Sequence, residues 1–415
     1  MIGTFVYWAL MKIYYLAILL SSIFNPKARL WIKGRKKLFS HIKSSLNDDN
    51  HKKIWVHCSS LGEFEQARPV IESIKEKLPK YKIILTFFSP SGYEIRKNYN
   101  LVDWVFYLAL DSPKNAKRLI KLFKPSLVLF VKYDFWYFIL RELNRKKIKV
   151  ILFSAIFQSN QLFFKKIIGN WYRRLLFFFN HIFVQDNQSF VLLKQIGIKN
   201  IEVIGDTRFD RVVKIAQNFE PLPLIEKFVS EKTIVAGSTW EEDDKILAEY
   251  INTNKDVRLI IAPHEVNNKS INRLTKLFKN NFILYTDLVN DKKQSNKAQV
   301  IIINTIGLLM KLYYYATITY VGGGFKHGIH NLLEAIVYGK PVVFGPNHQK
   351  FKEAHDLLNL KIGFCINDEI KATKIFNELL NNKQKLEEIS QKALEYVYKN
   401  TGATDKIINW ILKNI

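Results

Sequence analysis

The sequence predicts an α/β protein built on two doubly wound parallel sheets. Three observations carry that expectation. Short, unbroken apolar runs recur along the chain. The stretches between them carry apolar residues at helical spacing. The series halts at a proline-bearing segment and then starts again. Runs this short and continuous suit strands buried on both faces of a parallel sheet. Their alternation with helices means βαβ units. At about 100–200 residues per domain, 415 residues fit two such units and a further segment.

That further segment comes first. Residues 1–24 are largely apolar and carry one charge, Lys12, and Tyr7, Trp8, Tyr14 and Tyr15 suit a membrane interface. A bilayer-spanning helix needs about 20 such residues. A basic cluster follows, Lys27, Arg29, Lys33, Arg35, Lys36 and Lys37. Basic residues flanking an apolar helix face the cytoplasm. The segment, taken as 1–25, therefore reads as a membrane anchor, spanning or interfacial, with a collar for anionic lipid head groups. A buried hydrophobic hairpin is the competing reading. A cleaved signal peptide fits poorly, because the basic cluster lies after the apolar stretch.

The first series of strands is expected at 54–58, 82–88, 104–110, 127–131, 150–154, 182–185 and 202–205, with helices such as 66–78 and 113–123 between them. The segment 209–231, with Pro221 and Pro223, reads as a linker. The second series is expected at 233–236, 258–262, 282–285, 300–304, 318–321 and 341–344. The domains are thus 26–208 and 232–415.

Composition narrows the function. Hydrophobic residues at 48% and charged residues at 24% exclude a disordered chain. Lys and Arg number 63 against 37 acids, a formal charge of +26, which attracts nucleic acid, anionic lipid or a phosphorylated substrate. Richness in Lys, Asn, Ile and Phe through codon bias explains the charge as well. The basic residues are spread out and no recognition helix is evident, so a nucleic-acid partner is not expected. Two distant cysteines, Cys58 and Cys365, exclude a disulfide scaffold, and no stretch has metal-ligand spacing.

In open α/β sheets ligands bind beyond the carboxyl ends of the strands. One such junction is His57-Cys58-Ser59-Ser60-Leu61-Gly62-Glu63. Gly62 permits a tight turn, and Glu63 in the first helical turn could act as general base. Acids are also favoured there for purely electrostatic reasons. A second junction is Gly237-Ser238-Thr239-Trp240-Glu241-Glu242. Ser238 or Thr239 can cap a helix, with Glu241 or Glu242 completing a capping box, and the same turn can bind phosphate. The third runs Gly322-Gly323-Gly324, then His327, His330, Asn331 and Glu334. Glycines let amides approach a phosphate, Asn331 can cap the next helix, and Glu334 can hold sugar hydroxyls. A tight structural turn fits the glycines too. His264 is a fourth candidate, beside a nucleotide.

Taken in order, these segments resemble the 3-deoxy-D-manno-octulosonic acid (Kdo) transferases of lipopolysaccharide synthesis. The resemblance covers the apolar start, Trp55 to Glu63, Ser89 to Glu94, Val203 to Asp210, Ala236 to Thr239, Val321 to Glu334, Gly339 to Pro346 and Phe351 to Glu353. It implies a GT-B glycosyltransferase with two Rossmann-like domains facing across a cleft and an N-terminal membrane-anchor helix. It also implies inverting transfer of Kdo from CMP-Kdo to the 6′-hydroxyl of a lipid A precursor, without metal or other cofactor, at the cytoplasmic face of the inner membrane. Carried over residue by residue, the base falls on Glu63, with Ser60 and Gly62 beside the acceptor. The nucleotide site falls on Ser238, Thr239, Gly323, Gly324, Asn331 and Glu334. Lys132 and Arg208 would meet the Kdo carboxylate or lipid phosphates, and closure of the domains would exclude water. Three segments depart from the family. Its Glu-Thr-Glu-Leu-Trp-Pro-Asn reads Lys132-Tyr133-Asp134-Phe135-Trp136-Tyr137-Phe138 here, so the acidic role passes to Asp134. Its Pro-Arg-His reads Pro263-His264-Glu265, and its Asp-Thr-x-Gly-Glu reads Asn304 to Leu308. The rival readings are another GT-B nucleotide-sugar transferase or sugar epimerase, and a non-catalytic basic protein of the membrane surface.

Overall fold

The computed structural model describes residues 2–47, 49–165, 169–279, 281–290 and 298–415; Met1 of the expected anchor lies outside them. The chain divides into two units, 1–211 with 401–415, and 212–400.

The first unit holds a sheet of β1 (Lys53–Cys58), β2 (Lys82–Phe87), β3 (Trp104–Tyr107), β4 (Pro125–Val131), β5 (Lys149–Ala155), β6 (His181–Val184) and β7 (Ile201–Val203). Its spatial order is β3-β2-β1-β4-β5-β6-β7, and every neighbouring pair is parallel. Central strands are buried on both faces, as their unbroken apolar runs require: Ile54, Trp55 and Val56 are all fully covered.

The second unit repeats the plan with β8 (Thr233–Thr239), β9 (Arg258–Pro263), β10 (Phe282–Leu284), β11 (Val300–Ile302), β12 (Ile318–Val321), β13 (Val342–Phe344) and β14 (Gly363–Cys365). The order is β10-β11-β9-β8-β12-β13-β14, again parallel. All thirteen strands expected from the sequence are present. β14 was not expected, because three residues around a glycine carry too little apolar pattern to mark a strand.

Two other expectations are corrected. The second domain does not run to residue 415. The helix Ala403–Asn414 packs in the first unit, where Ile407, Ile408 and Ile411 join the core beneath the helix Leu61–Lys77. The segment 209–231 is not an irregular linker throughout: the helix Thr207–Gln217 starts in the first unit and ends in the second, and Pro223–Glu226 is helical. Asp210 accepts the N–H groups of Gly402 and Thr404, at 2.5 and 2.6 Å, where the chain returns to the first unit.

An apolar helix, Ile2–Ser21, opens the chain, followed by Pro26–Arg35 and Leu38–Ser45. One member of the expected lipid collar turns inward. Arg35 donates to the carbonyls of Leu108 (2.9 Å) and Phe88 (2.7 Å), and its guanidinium lies 3.7 Å from the Trp31 ring. Arg35 is a structural clamp, because its planar fork satisfies carbonyls that would otherwise be buried without donors.

Candidate active site

Each sheet reverses its winding once, and a parallel sheet binds ligands at that switch point. In the first sheet it lies between β1 and β4, in the second between β8 and β12. The residues singled out from the sequence stand at these two places.

In the first unit, Ser60 is extended and its Oγ accepts the Glu63 N–H at 3.5 Å, which starts the helix Leu61–Lys77. The Glu63 carboxylate accepts the Ser59 N–H in return. Gly62 has ordinary helical geometry, so the expected tight turn is not its reason. A Cβ there would meet only Ser60 Oγ, at 4.0 Å, so the helix start is uncrowded at Gly62. Across the switch point, Lys132, directly after β4, has a left-handed φ of 62°. Such a conformation costs about 1–3 kcal/mol in a residue with a side chain. It turns the chain so that Asp134 faces Ser59, whose hydroxyl donates to Asp134 Oδ1.

Behind the two carboxyls lies His57, fully buried. Trp136 donates to its Nε2 at 3.1 Å, so the ring proton is on Nδ1, which faces Thr86 O at 3.1 Å and Thr86 Oγ1 at 2.8 Å. Burial pushes His57 down to about 3. Its 3.4 Å approach to Asp134 Oδ2 is therefore a contact with a neutral ring and not an ion pair. Burial raises the Glu63 carboxyl, against the pull of the Ser59 amide and the Lys132 ammonium. Burial also holds Asp134 well above the usual carboxylate range, and the charge of Glu63 adds to the effect. Two carboxyls this close do not both ionise. Asp134, the deeper, is raised the more strongly, so Glu63 is the one of the two that ionises more readily.

Beside them Arg208 grips Asp206 with Nη2 at 2.7 Å and Nε at 2.9 Å. Arg208 and Lys132 both lower the carboxyl of Asp206, which burial alone would raise. The structure thus brings together Ser60, Gly62, Glu63, Lys132, Asp134 and Arg208. It adds Asp206, visible in the Gly205-Asp206-Thr207-Arg208 segment but not singled out.

His57 gives a pH prediction. It titrates near 6.5 when unfolded and about 3 when folded, so acid protonates the unfolded chain first. Stability is present above 6.5 and lost as pH falls. Between pH 7 and 5 the loss through this group is about 2 kcal/mol. His57→Gln is expected to flatten that slope in urea midpoints measured across the interval. Parallel slopes would contradict it.

In the second unit the glycines do other work than expected. The Gly322 N–H donates to Gly237 O at 2.9 Å and the Gly323 N–H to Asp243 Oδ2 at 2.8 Å. A Cβ on Gly322 would lie 2.6 Å from Ser238 O, and one on Gly324 2.6 Å from the Gly345 backbone. Two amides of the expected phosphate cradle are therefore committed, and the glycines allow backbone to pass against backbone. The helix after Asn331 is also corrected. It is four residues long, Leu333–Ile336. Asn331 accepts the Leu333 N–H at 3.2 Å and donates to Glu334 Oε1 at 3.0 Å, orienting that carboxylate.

Trp240, and neither Ser238 nor Thr239, caps the helix Glu241–Thr253, and its N–H goes to Asp243 Oδ2 at 2.9 Å. Ser238 turns the chain there with φ 55°. Asp243 also accepts the Tyr320 hydroxyl at 2.7 Å. One buried carboxylate thus ties β8, β12 and the glycine turn. The sequence hid it in an acidic run that reads equally well as a solvated helix start.

Four rings stack over this switch point. Trp240 lies between His264 (4.8 Å, 23°) and His327 (4.0 Å, 29°), and His264 stacks on His330 (4.3 Å, 18°). His264 is held by its N–H to Thr239 O at 3.0 Å. Burial keeps His264 below its ordinary value and His330 at about 4. Near neutral pH these two rings are uncharged, a flat surface suited to a base. Trp240 is the member that sequence reasoning missed.

Residues 33–211 match the family model of 3-deoxy-D-manno-octulosonic-acid transferase (kdotransferase). The chain is 24% identical over 428 residues to a 3-deoxy-D-manno-octulosonic acid transferase of Rickettsia bellii, covering 99% of this chain and 98% of that protein. It is 27% identical over 346 residues to the enzyme of the same description from Aquifex aeolicus, covering 82% and 90%. A bifunctional glycosyltransferase/methyltransferase of Fusobacterium nucleatum is 27% identical over 382 residues, 87% of this chain and 58% of that protein, so the chain spans less than two thirds of its length. Two solved structures share the fold. UDP-GlcNAc 2-epimerase from Neisseria meningitidis, bound to UDP-GlcNAc, superposes with TM-score 0.61 at 17% identity, over 87% of this chain and 100% of that one. MurG from Acinetobacter baumannii gives 0.56 at 13% identity, over 87% and 99%.

Proposed function

We propose that the chain is a Kdo transferase with the GT-B glycosyltransferase fold, and that it transfers Kdo from CMP-Kdo to the 6′-hydroxyl of a lipid A precursor, with inversion and without a metal, at the cytoplasmic face of the inner membrane. The observation that carries this reading is Glu63. Its carboxyl stands at a switch point, held by the Ser59 N–H, with Asp134 beside it, a carboxyl that burial raises still further. Glu63 removes the proton of the acceptor hydroxyl, that oxygen attacks the anomeric carbon of Kdo, and CMP leaves from the opposite face. Lys132 and Arg208 meet the sugar carboxylate or lipid phosphates.

On the second unit, Ser238, Thr239, Gly323 and Gly324 shape the turn under the nucleotide. His264, with Trp240, offers the stacking face, and Glu334, set by Asn331, takes the ribose hydroxyls.

The test is incubation of the full chain with CMP-Kdo and a tetra-acylated lipid A precursor, read by mass spectrometry. The expected product gains one or more Kdo residues, and CMP inhibits where UDP does not. No product, or inhibition by UDP alone, would refute the reading.

A further inference from the structure

The helix Ile2–Ser21 is long and apolar enough to cross a membrane, yet the structure shows it docked lengthwise on the first unit. Thr4, Tyr7, Met11 and Ile18, on one helical face, are partly covered. Thr4 Oγ1 donates to the Tyr137 hydroxyl at 3.0 Å, and the Tyr7 hydroxyl donates to Asp111 Oδ2 at 2.8 Å. Asp111 is fully buried and also takes the N–H groups of Phe138 and Ile139, at 2.8 and 3.0 Å. The Tyr7 ring packs on Trp171 with centroids 5.6 Å apart, and Tyr14 stacks on Phe88 at 6.0 Å. Phe88 follows β2, Asp111 follows β3 and Tyr137 follows β4. The helix thus crosses the carboxyl ends of three strands. The other face is bare and apolar: Phe5, Leu10, Ile13, Leu16 and Leu20 are 53–67% exposed.

We propose that this helix lies flat in one leaflet of an anionic bilayer and does not span it, so that the rim of the first switch point rests on the lipid surface. A spanning helix that kept these contacts would carry Asp111 and the amide ends of neighbouring helices into hydrocarbon, where polar groups are costly. It would also put Lys12, at mid-helix, near the midplane. Lying flat, the bare stripe enters the acyl boundary while Lys12 reaches sideways to head groups. The five outward members of the basic cluster, Lys27, Arg29, Lys33, Lys36 and Lys37, are exposed and supply the matching charge. The base lies close behind: Phe88 packs on Trp136 at 4.6 Å, and Trp136 donates to His57.

The experiment reads position in lipid, so it is independent of transfer. In a Cys365→Ser background, with Cys58 buried, single variants Phe5→Cys, Ile13→Cys and Leu20→Cys carry an environment-sensitive fluorophore. The full chain is reconstituted from detergent into phosphatidylcholine–phosphatidylglycerol vesicles, and acyl-chain quenchers at set depths locate each label. Residues 5 and 13 are about 12 Å apart along a helix axis. A flat helix gives all three labels the same shallow depth. Ile13 deeper than both ends by about 10 Å, as a spanning helix requires, would overturn the proposal, and so would no quenching at any position.

Discussion

Glu63→Gln is expected to leave CMP binding unchanged and to slow transfer by roughly 10²–10⁴-fold, the usual contribution of a positioned general base. That is about 3–5 kcal/mol of barrier. Gln is nearly isosteric, and its amide oxygen can still accept the Ser59 N–H that Glu63 accepts. The helix start at Ser60 is therefore kept, and what disappears is the site that takes the acceptor's proton. The measurement is kcat with CMP-Kdo and lipid acceptor, alongside CMP affinity by calorimetry and the thermal midpoint. Turnover within tenfold of the unaltered protein would remove Glu63 from the chemistry. Weakened CMP affinity would instead mean that the variant disturbs the second unit, which the location of Glu63 does not predict.

The largest expected loss of stability comes from Asp243→Ala. The Asp243 carboxylate, 1% exposed, accepts from Trp240 N–H, Gly323 N–H and Tyr320 hydroxyl. Alanine leaves three buried donors unpaired, each worth about 1–3 kcal/mol, so a total near 3–5 kcal/mol is expected. Because the same carboxylate fixes Trp240 and the glycine turn, CMP affinity should fall at least about tenfold as well. Asp256→Ala, an acid 63% exposed on its side chain and paired with Lys232, is the control and should be nearly neutral. Equal midpoints for the two variants would show that the buried carboxylate does not hold the turn.

The strands were legible because a parallel sheet demands continuous apolar runs, and few other structures produce them at this length. The candidate junctions followed, since a parallel sheet binds ligands at the carboxyl ends of its strands. Glu63 was legible for a local reason: it falls in the first helical turn directly after a strand. Other features were not, because one pattern serves two physical ends. Gly322 to Gly324 read the same whether a phosphate or a second backbone makes the close approach; here it is the backbone of Ser238 and Gly345. The run Glu241 to Asp244 suits a solvated helix end, yet Asp243 and Asp244 are buried, the latter against Arg273 at 2.7 Å. Arg35 belongs by sequence to a basic surface cluster and by structure to the interior. Tyr7 and Tyr14 were legible as interfacial aromatics, but not the tethers that lay their helix along the strand ends.

The docking of Ala403–Asn414 on the first unit has a consequence for synthesis of the chain. As the polypeptide emerges from the ribosome, β1 and the helix Leu61–Lys77 appear early, but Ile407, Ile408 and Ile411 arrive only after the whole second unit. Until then the nascent protein presents an uncovered apolar patch. Chaperone occupancy during translation, and aggregation of chains truncated at residue 400, should both report that wait.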